Sequence, residues 1–255
     1  MAFRQSTYNL ARFNSATSSE FLSYYQNCIL QRIVDDKQKR PSNTMSPSSF
    51  RCDRFCWFRV RDVEVDTVTN PDPVLQFKAD VGTGCHKIIQ ETLIDYLKDD
   101  WINIEEHIKI NPLPWDCTIS VEGNEYRIEI PIIQFRMACD GIVRWNDKLY
   151  LLEIKTVEYA ALEELTDPMP KHMDQVKCYA TMLNLNGVLF LYQDRTYGGL
   201  KCYEVAVTQK DKDTIINKIK MIIDMKDQNV APDRLPSGDM MCSGCEYKAK
   251  CKQYG

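Results

Sequence analysis

The chain has 255 residues, 44% of them hydrophobic and 27% charged, enough apolar material for one or two domains with a sizeable core. Its 36 acidic against 32 basic residues leave a formal net charge of −4. That excludes a wholly basic nucleic-acid coat, so any nucleic acid must be held by a local basic patch or through metal ions on acidic groups.

No apolar run reaches the ~18–20 residues of a membrane span, and the N-terminus lacks the apolar core of a signal peptide. Eleven cysteines without an export signal point to a reducing, cytoplasmic setting, where thiols bind metal or fill core instead of pairing.

In residues 1–45, Phe21, Tyr24, Tyr25, Cys28 and Ile29 recur at helical spacing, and a polar run over 35–44 reads as a linker. This part is expected to be an N-terminal helical extension, with residues 46–255 as one domain. Ser46-Pro47-Ser48-Ser49 has the form of a helix cap leading into a helix over 50–60. Prolines and Asn/Asp between 65 and 78 predict an irregular connection. Residues 80–101 form the clearest helix, with His86, Ile89, Leu93 and Tyr96/Leu97 on one stripe. From 118 to 155 the period changes to two, predicting strands with turns at 122–124 and at Asn146-Asp147. A helix over 170–183, strands over 188–193 and 201–207, and a helix over 208–226 precede a Pro- and Cys-rich tail. The fold class expected is α/β: a mixed or antiparallel central sheet flanked by helices.

The chemistry concentrates in residues 138–155. With Asn146-Asp147 at the centre of a hairpin loop, Trp145 faces Lys148, and Asp140 then falls opposite Glu153 with Cβ atoms ~4.5–5.5 Å apart. Lys155, two residues on, points to the same face. Two facing carboxylates repel unless a cation lies between them, and such a pair suits hard Mg²⁺ or Mn²⁺. An adjacent ammonium can orient an attacking water, and these are parts for phosphodiester hydrolysis. An E-x-K triplet is most often a solvated charge ladder, but Ile142, Val143, Leu151, Leu152 and Ile154 describe a half-buried sheet. His86, on an apolar stripe, reads equally as a hydrogen-bonded core residue. His107 and His172 have no supporting pattern and read as structural.

Cys242, Cys245 and Cys251 place three thiols in a short tail with little core to join, so they read as metal ligands. The fourth comes from Cys52 or Cys56, and four thiolates suit either Zn²⁺ or a [4Fe–4S] cluster. Cys28, Cys85, Cys117, Cys139, Cys178 and Cys202 read as small core residues. Arg51, Arg54, Arg59 and Arg61 interleave with Phe55, Trp57 and Phe58. That pattern fits single-strand binding, and equally an amphipathic helix with solvated arginines. Lys248, Lys250 and Lys252 add to the same basic surface.

Asp140 with Glu153-Ile154-Lys155 resembles the core of the PD-(D/E)XK (restriction-endonuclease-like) nucleases, in particular the RecB-like branch. Gly82-Thr83-Gly84-Cys85-His86 is similar to that branch's G-T-x-x-H segment at the opening of a helix, and Gln175…Tyr179 to its Q-x-x-x-Y motif. Ser48, Phe50, Cys52, Arg54 and Trp57 are similar to the S-x-L…C-P-R-x-x-Y segment of members with an iron–sulphur staple. Here Asp53 stands for Pro, Phe50 for Leu and Trp57 for Tyr. The resemblance covers roughly residues 46–251 and extends to the CRISPR-associated RecB-type exonucleases and their viral relatives.

It implies that His86, Asp140, Glu153 and the Ile154 carbonyl hold Mg²⁺ or Mn²⁺, that Lys155 positions the water, and that Gln175 and Tyr179 support the site and guide the strand. It implies Cys52, with Cys56 as the alternative, joining Cys242, Cys245 and Cys251 in a structural [4Fe–4S] cluster, zinc being the other choice. Arg51, Arg54 and Tyr179 would contact DNA. The implied activity is a metal-dependent DNA exonuclease on single-stranded ends, 5′→3′ favoured, in recombination or repair, phage replication or CRISPR spacer processing, with protein partners or oligomers in such pathways. Two other readings are a processing subunit active only with partners and a non-catalytic, metal-stapled DNA-binding protein.

Overall fold

The computed structural model describes residues 19–38, 43–66, 73–122 and 125–254; residues 39–42 of the expected linker and the turn at 123–124 lie outside them. Helix α1 (Ser19–Gln38) runs further than expected, so residues 35–38 continue the helix where a linker was predicted. It lies on α3 (Pro73–Leu97), where Arg32 pairs with Asp80. Phe21, Tyr24 and Tyr25 face solvent, and Ile33 turns inward.

The predicted cap forms as a 3-10 turn over Pro47–Ser49, with Ser46 and Ser49 closing a capping box. It leads into α2 (Asp53–Val60). Helix α3 begins at Pro73, inside the stretch expected to be irregular. A proline suits a helix's first turn because it has no N–H to leave unsatisfied there. Lys98 at φ 49° turns the chain out of the helix, so Trp101 belongs to strand β1 (Trp101–Ile102) instead of the helix predicted to reach it. The short α4 (Ile104–Ile110), which the sequence did not announce, follows with Asn103 as its cap.

Two sheets follow from one meander. β2 (Thr118–Glu122), β3 (Glu125–Ile130) and β4 (Phe135–Cys139) form an antiparallel three-stranded sheet. Met45, fully buried, bridges to Phe135 at its edge. The chain bends at Asp140 and enters β5 (Gly141–Trp145), which turns at Asn146-Asp147 into β6 (Lys148–Val157). Trp145 faces Lys148 and Gly141 faces Leu152, the register read from the sequence. After α5 (Tyr159–Glu164) and α6 (Pro170–Met182), β7 (Gly187–Asp194) joins β6 in parallel and β8 (Leu200–Ala206) adds antiparallel. The central sheet, β1-β5-β6-β7-β8, is therefore mixed. Helix α7 (Gln209–Asp227), capped by Thr208 and Asp211, and the short α8 (Lys248–Gln253) complete the described elements. No helix among the described residues is long and apolar enough to cross a membrane.

β6 is covered on both faces, as a central strand requires. Tyr150, Leu152 and Ile154 pack with Ile89, Leu93 and Leu97 of α3 and with Trp101. Leu151 faces the main core, which includes Phe190 of β7 and Val176 and Tyr179 of α6. Of the cysteines read as core, Cys139 and Cys178 are buried, whereas Cys28 and Cys202 are exposed; a thiol is small enough to be tolerated on either face of an element.

Gly141 marks the tightest place. A Cβ there would lie 2.5 Å from the Trp101 ring, so the bend after Asp140 requires a residue without a side chain. Gly141→Ala is expected to cost ~1–3 kcal/mol through overpacking, lowering Tm by several degrees for a chain of this size. A melt superimposing on that of the parent would show that Trp101 swings aside freely.

Candidate active site

β5 pairs with β6 only as far as Leu152. Beyond it, β6 keeps β7 on one side and has an open edge on the other. A buried strand edge needs partners for its N–H groups, and the Ile154 N–H finds Asp140, whose Oδ2 accepts it at 2.7 Å. The aspartate at the bend thus replaces the missing strand and is fixed by that role.

Two residues of α3 hold it from the other side. His86 Nδ1 stands 3.2 Å from Asp140 Oδ1, and Gln90, one turn further on and buried, donates to the Asp140 carbonyl at 2.8 Å. Gly82 and His86 lie well inside α3, not at its start as the resemblance suggested. Gly82 is buried where a Cβ would come 3.0 Å from the Thr156 Oγ1, so the glycine lets the helix approach β6.

Glu153 is 2% exposed. Burial pushes its carboxyl up to about 7, the Asp140 charge pushes the same way, and the Lys155 ammonium opposes both. Lys155 pairs directly with Glu153. On α6, Gln175 Nε2 donates to the Tyr179 hydroxyl at 3.2 Å. Burial, and the neighbouring Glu153 charge, hold that phenol well above its usual range. The result is a cleft of about 350 Å³, lined among others by Gly82, His86, Asp140, Glu153, Lys155, Gln175 and Tyr179. Six of the residues singled out by the sequence, on three separate elements and one bend, meet there.

Other residues at the site were not singled out. Glu125 lines the cleft; one step past the Tyr126–Cys139 pair of the β3–β4 ladder, it falls across from Asp140 and adds a third carboxylate. Lys78 lines the α3 side, beside Thr83 of the G-T-x-x-H-like segment. His107, read as structural, is buried with Nε2 2.7 Å from the Leu183 carbonyl. His172 stacks on Tyr192, and burial, with the Lys155 charge, holds it down to about 4.

A second cleft, of about 550 Å³, is lined by Cys52, Cys242, Cys245 and Cys251. Cys56 is not part of it. That thiol is fully buried against Ser49, with Sγ 3.2 Å from the Ser49 carbonyl, and burial pushes it up to about 12. Among the described residues, no group of three or more His, Cys, Asp or Glu is gathered closely enough to hold a metal ion.

The tail is anchored by ordinary contacts. Tyr247 stacks on Phe58 at 5.0 Å, and the Asp66 carboxylate accepts the Ala249 and Lys250 N–H groups at the start of α8. Arg54 donates to the Pro232 carbonyl at 2.5 Å and to the Cys251 carbonyl at 3.3 Å. It is 5% exposed, so its guanidinium is taken up by the carbonyls of the tail instead of by solvent. Arg51, by contrast, is exposed over the Phe55 ring.

No protein-family model matches the chain, and no curated protein sequence matches it significantly. Solved structures do resemble it. SSO0001 aligns over 89% of this chain and 96% of its own, with a TM-score of 0.50 and 13% identity. The alkaline exonuclease LHK-Exo from Laribacter hongkongensis aligns over 74% of this chain and 90% of its own, with a TM-score of 0.38 and 15% identity. Its complex with dAMP has the same coverage, with a TM-score of 0.44 and 14% identity. The likeness to SSO0001 is one of fold: a mixed α/β architecture with a central sheet between helices.

Proposed function

We propose that this chain is a metal-dependent deoxyribonuclease of the PD-(D/E)XK type that hydrolyses phosphodiester bonds at single-stranded DNA ends, with 5′→3′ action favoured. The observation that carries this reading is the convergence of Asp140, Glu153, Lys155 and His86 at the open edge of β6, facing Gln175 and Tyr179 across one cleft.

The donor types at the site are those a hard divalent ion takes. Asp140 and Glu153 offer carboxylate oxygens and His86 a ring nitrogen, the neighbouring Asp140 charge helps keep the Glu153 carboxyl up near 7, and Lys155, with a smaller contribution from His86, offsets the surplus. A cation between the carboxylates would relieve that repulsion. Asp140, Glu153, His86 and the Ile154 carbonyl would hold Mg²⁺ or Mn²⁺, which supplies Lewis-acid stabilisation of charge on phosphate oxygens.

The protein's own groups do the rest. Lys155, beside Glu153, is placed to hold the attacking water and to offset negative charge growing on phosphorus. Tyr179, kept neutral, donates its hydroxyl proton toward the acidic pair or the strand, and Gln175 fixes its orientation. Gln90 and the Ile154 N–H prevent Asp140 from turning away, so the carboxylates are set before substrate arrives.

Cys52, Cys242, Cys245 and Cys251 would hold a [4Fe–4S] cluster, with zinc as the alternative. All four thiols line one cavity with room for such a group, and the donors are of the soft kind both metals take. The role would be structural.

Three outcomes test this reading. On anaerobically purified protein, Mn²⁺ or Mg²⁺ should support loss of end-labelled single-stranded DNA, and Glu153→Gln should reduce it by ~10²–10⁴-fold, as loss of a catalytic group does. Intact substrate under every metal would overturn the nuclease reading.

The same variant tests the electrostatics in chelator-treated protein. A folded-state value near 7 against an ordinary 4.5 means the folded protein holds a proton the unfolded chain has released. Stability therefore falls as pH rises from about 4.5 to 7. Glu153→Gln should thus be more stable than the parent at pH 8, by up to ~3 kcal/mol, with the gain gone at pH 4. Equal melts at both values would show that Glu153 carries no such burden.

For the second cleft, Cys251→Ser should lose iron or zinc and melt ~5–10 °C lower, as a lost structural metal would imply. Cys56→Ser should keep its metal. Metal loss in Cys56→Ser, with retention in Cys52→Ser, would reverse the assignment.

A further inference from the structure

Where β6 leaves the cleft, it leads directly to a pair of exposed aromatic rings. Glu153 and Lys155 are followed by Val157, Glu158 and then Tyr159 at the start of α5. Tyr159 meets Tyr197, from the β7–β8 turn, edge to face with ring centroids 5.1 Å apart. They are 45% and 77% exposed, so the contact contributes little to the core. Three residues, and so four steps of chain, separate Lys155 from Tyr159, at most ~13 Å.

The turn that carries Tyr197 is built to stay still. Asp194, 1% exposed, accepts the N–H groups of Thr196 at 2.7 Å, Tyr197 at 2.9 Å and Gly199 at 3.1 Å. Gly198 at φ 76° supplies the left-handed step that closes it. The Arg195 N–H bonds the Val157 carbonyl at 3.0 Å, tying this turn to the end of β6.

Two cations meet at Glu158, the residue before Tyr159. Lys78, which lines the cleft, pairs with Glu158 at 2.6 Å. Arg195 lies 3.6 Å from the same carboxylate and donates to the Lys78 carbonyl at 3.3 Å. One glutamate thus holds both cations, of which Lys78 lines the cleft, the arrangement a phosphate can enter by displacing or bridging to one of them.

We propose that Tyr159 and Tyr197 form a base-stacking platform for single-stranded nucleic acid leaving the cleft, with Lys78 and Arg195 contacting its phosphates. This rests on the nuclease reading above and adds a binding site for the single strand outside the cleft. Aromatic faces take any base, and cations beside them track the backbone, so such a site holds single strands without sequence preference. A duplex, with its bases already stacked on one another, has no free face to offer.

The test uses full-length Glu153→Gln protein and a single-stranded oligonucleotide carrying a fluorescent adenine analogue a few nucleotides from one end. Stacking should quench the analogue. Adding Tyr159→Ala and Tyr197→Ala together should abolish the quench and weaken binding by ~10–100-fold, while binding of a blunt duplex changes far less. Tyr197→Trp should restore the quench, which a merely folding-defective variant would not do. Tyr96→Ala, an exposed tyrosine ~15 Å along α3 from His86, should behave like the parent. Equal affinity and equal quench in the double-alanine protein would overturn the platform while leaving the nuclease reading intact. Failure of the parent to cleave, and of Glu153→Gln to bind any oligonucleotide, would remove both.

Discussion

Everything at the candidate site depends on a carboxylate placed where water is not. Glu153 is nearly inaccessible, shares its surroundings with Asp140, and is countered chiefly by the single ammonium of Lys155. Left to itself, such a group takes up a proton near neutrality; with a cation beside it, it ionises. The surrounding fold keeps this unstable arrangement from relaxing. β7 pairs with β6 from Leu151 to Val157, so the central ladder fixes the backbone at Glu153 and the face to which its side chain points. Asp140 cannot retreat without orphaning the Ile154 N–H and the Gln90 amide.

The bend at Asp140 gives this constraint its shape. Had β4 and β5 remained one strand, the edge of β6 would have been covered and no cleft would exist. Because the meander divides into two sheets there, helix α3 can reach the exposed end of β6 from one side and α6 from the other. Gly82 and Gly141 are two places where that geometry leaves little room for a side chain: one brings a helix close to Thr156, the other admits Trp101 to the bend. Glu125, arriving on the second sheet, adds negative charge from a direction the β5–β6 hairpin alone could not supply.

The hairpin was legible in the sequence because its turn has only one comfortable solution. Asn146 and Asp147 adopt φ 49° and 61°, the left-handed conformations that Asn and Asp tolerate and a tight two-residue turn requires. Register, and with it Asp140, Glu153 and Lys155, followed from that turn. Glu125 was not legible, because β3 and β4 are joined through the 3-10 turn at Pro131–Ile133 and a left-handed Gln134, a connection whose register cannot be counted from residue types. Gln90 was hidden for another reason: periodicity shows a helix's apolar face but not which polar residue at its margin meets a strand. Arg54 illustrates the same limit, since basic residues among aromatics read alike whether the charge meets solvent or, as here, the carbonyls of a returning tail.

That returning tail is connected to the cleft through packing. Tyr247 stacks on Phe58 and Tyr254 meets Trp57 and Phe58 of α2 edge to face, and α2 packs on α7, where Lys218 pairs with Asp53 at 2.7 Å and holds the Phe50 carbonyl. The 3-10 turn ahead of α2 packs in turn on α6, the helix that carries Gln175 and Tyr179 to the acidic pair. A metal group bound by Cys52 and the tail thiols would therefore tighten α2 against α7 and, through the Pro47–Ser49 turn, fix the rotation of α6. β5, β6 and α3 have their own core with Leu152 and Ile154 and do not need the tail. Loosening it would leave Asp140, Glu153 and Lys155 in place while releasing Tyr179 and Gln175, so the two walls of the cleft differ in what holds them.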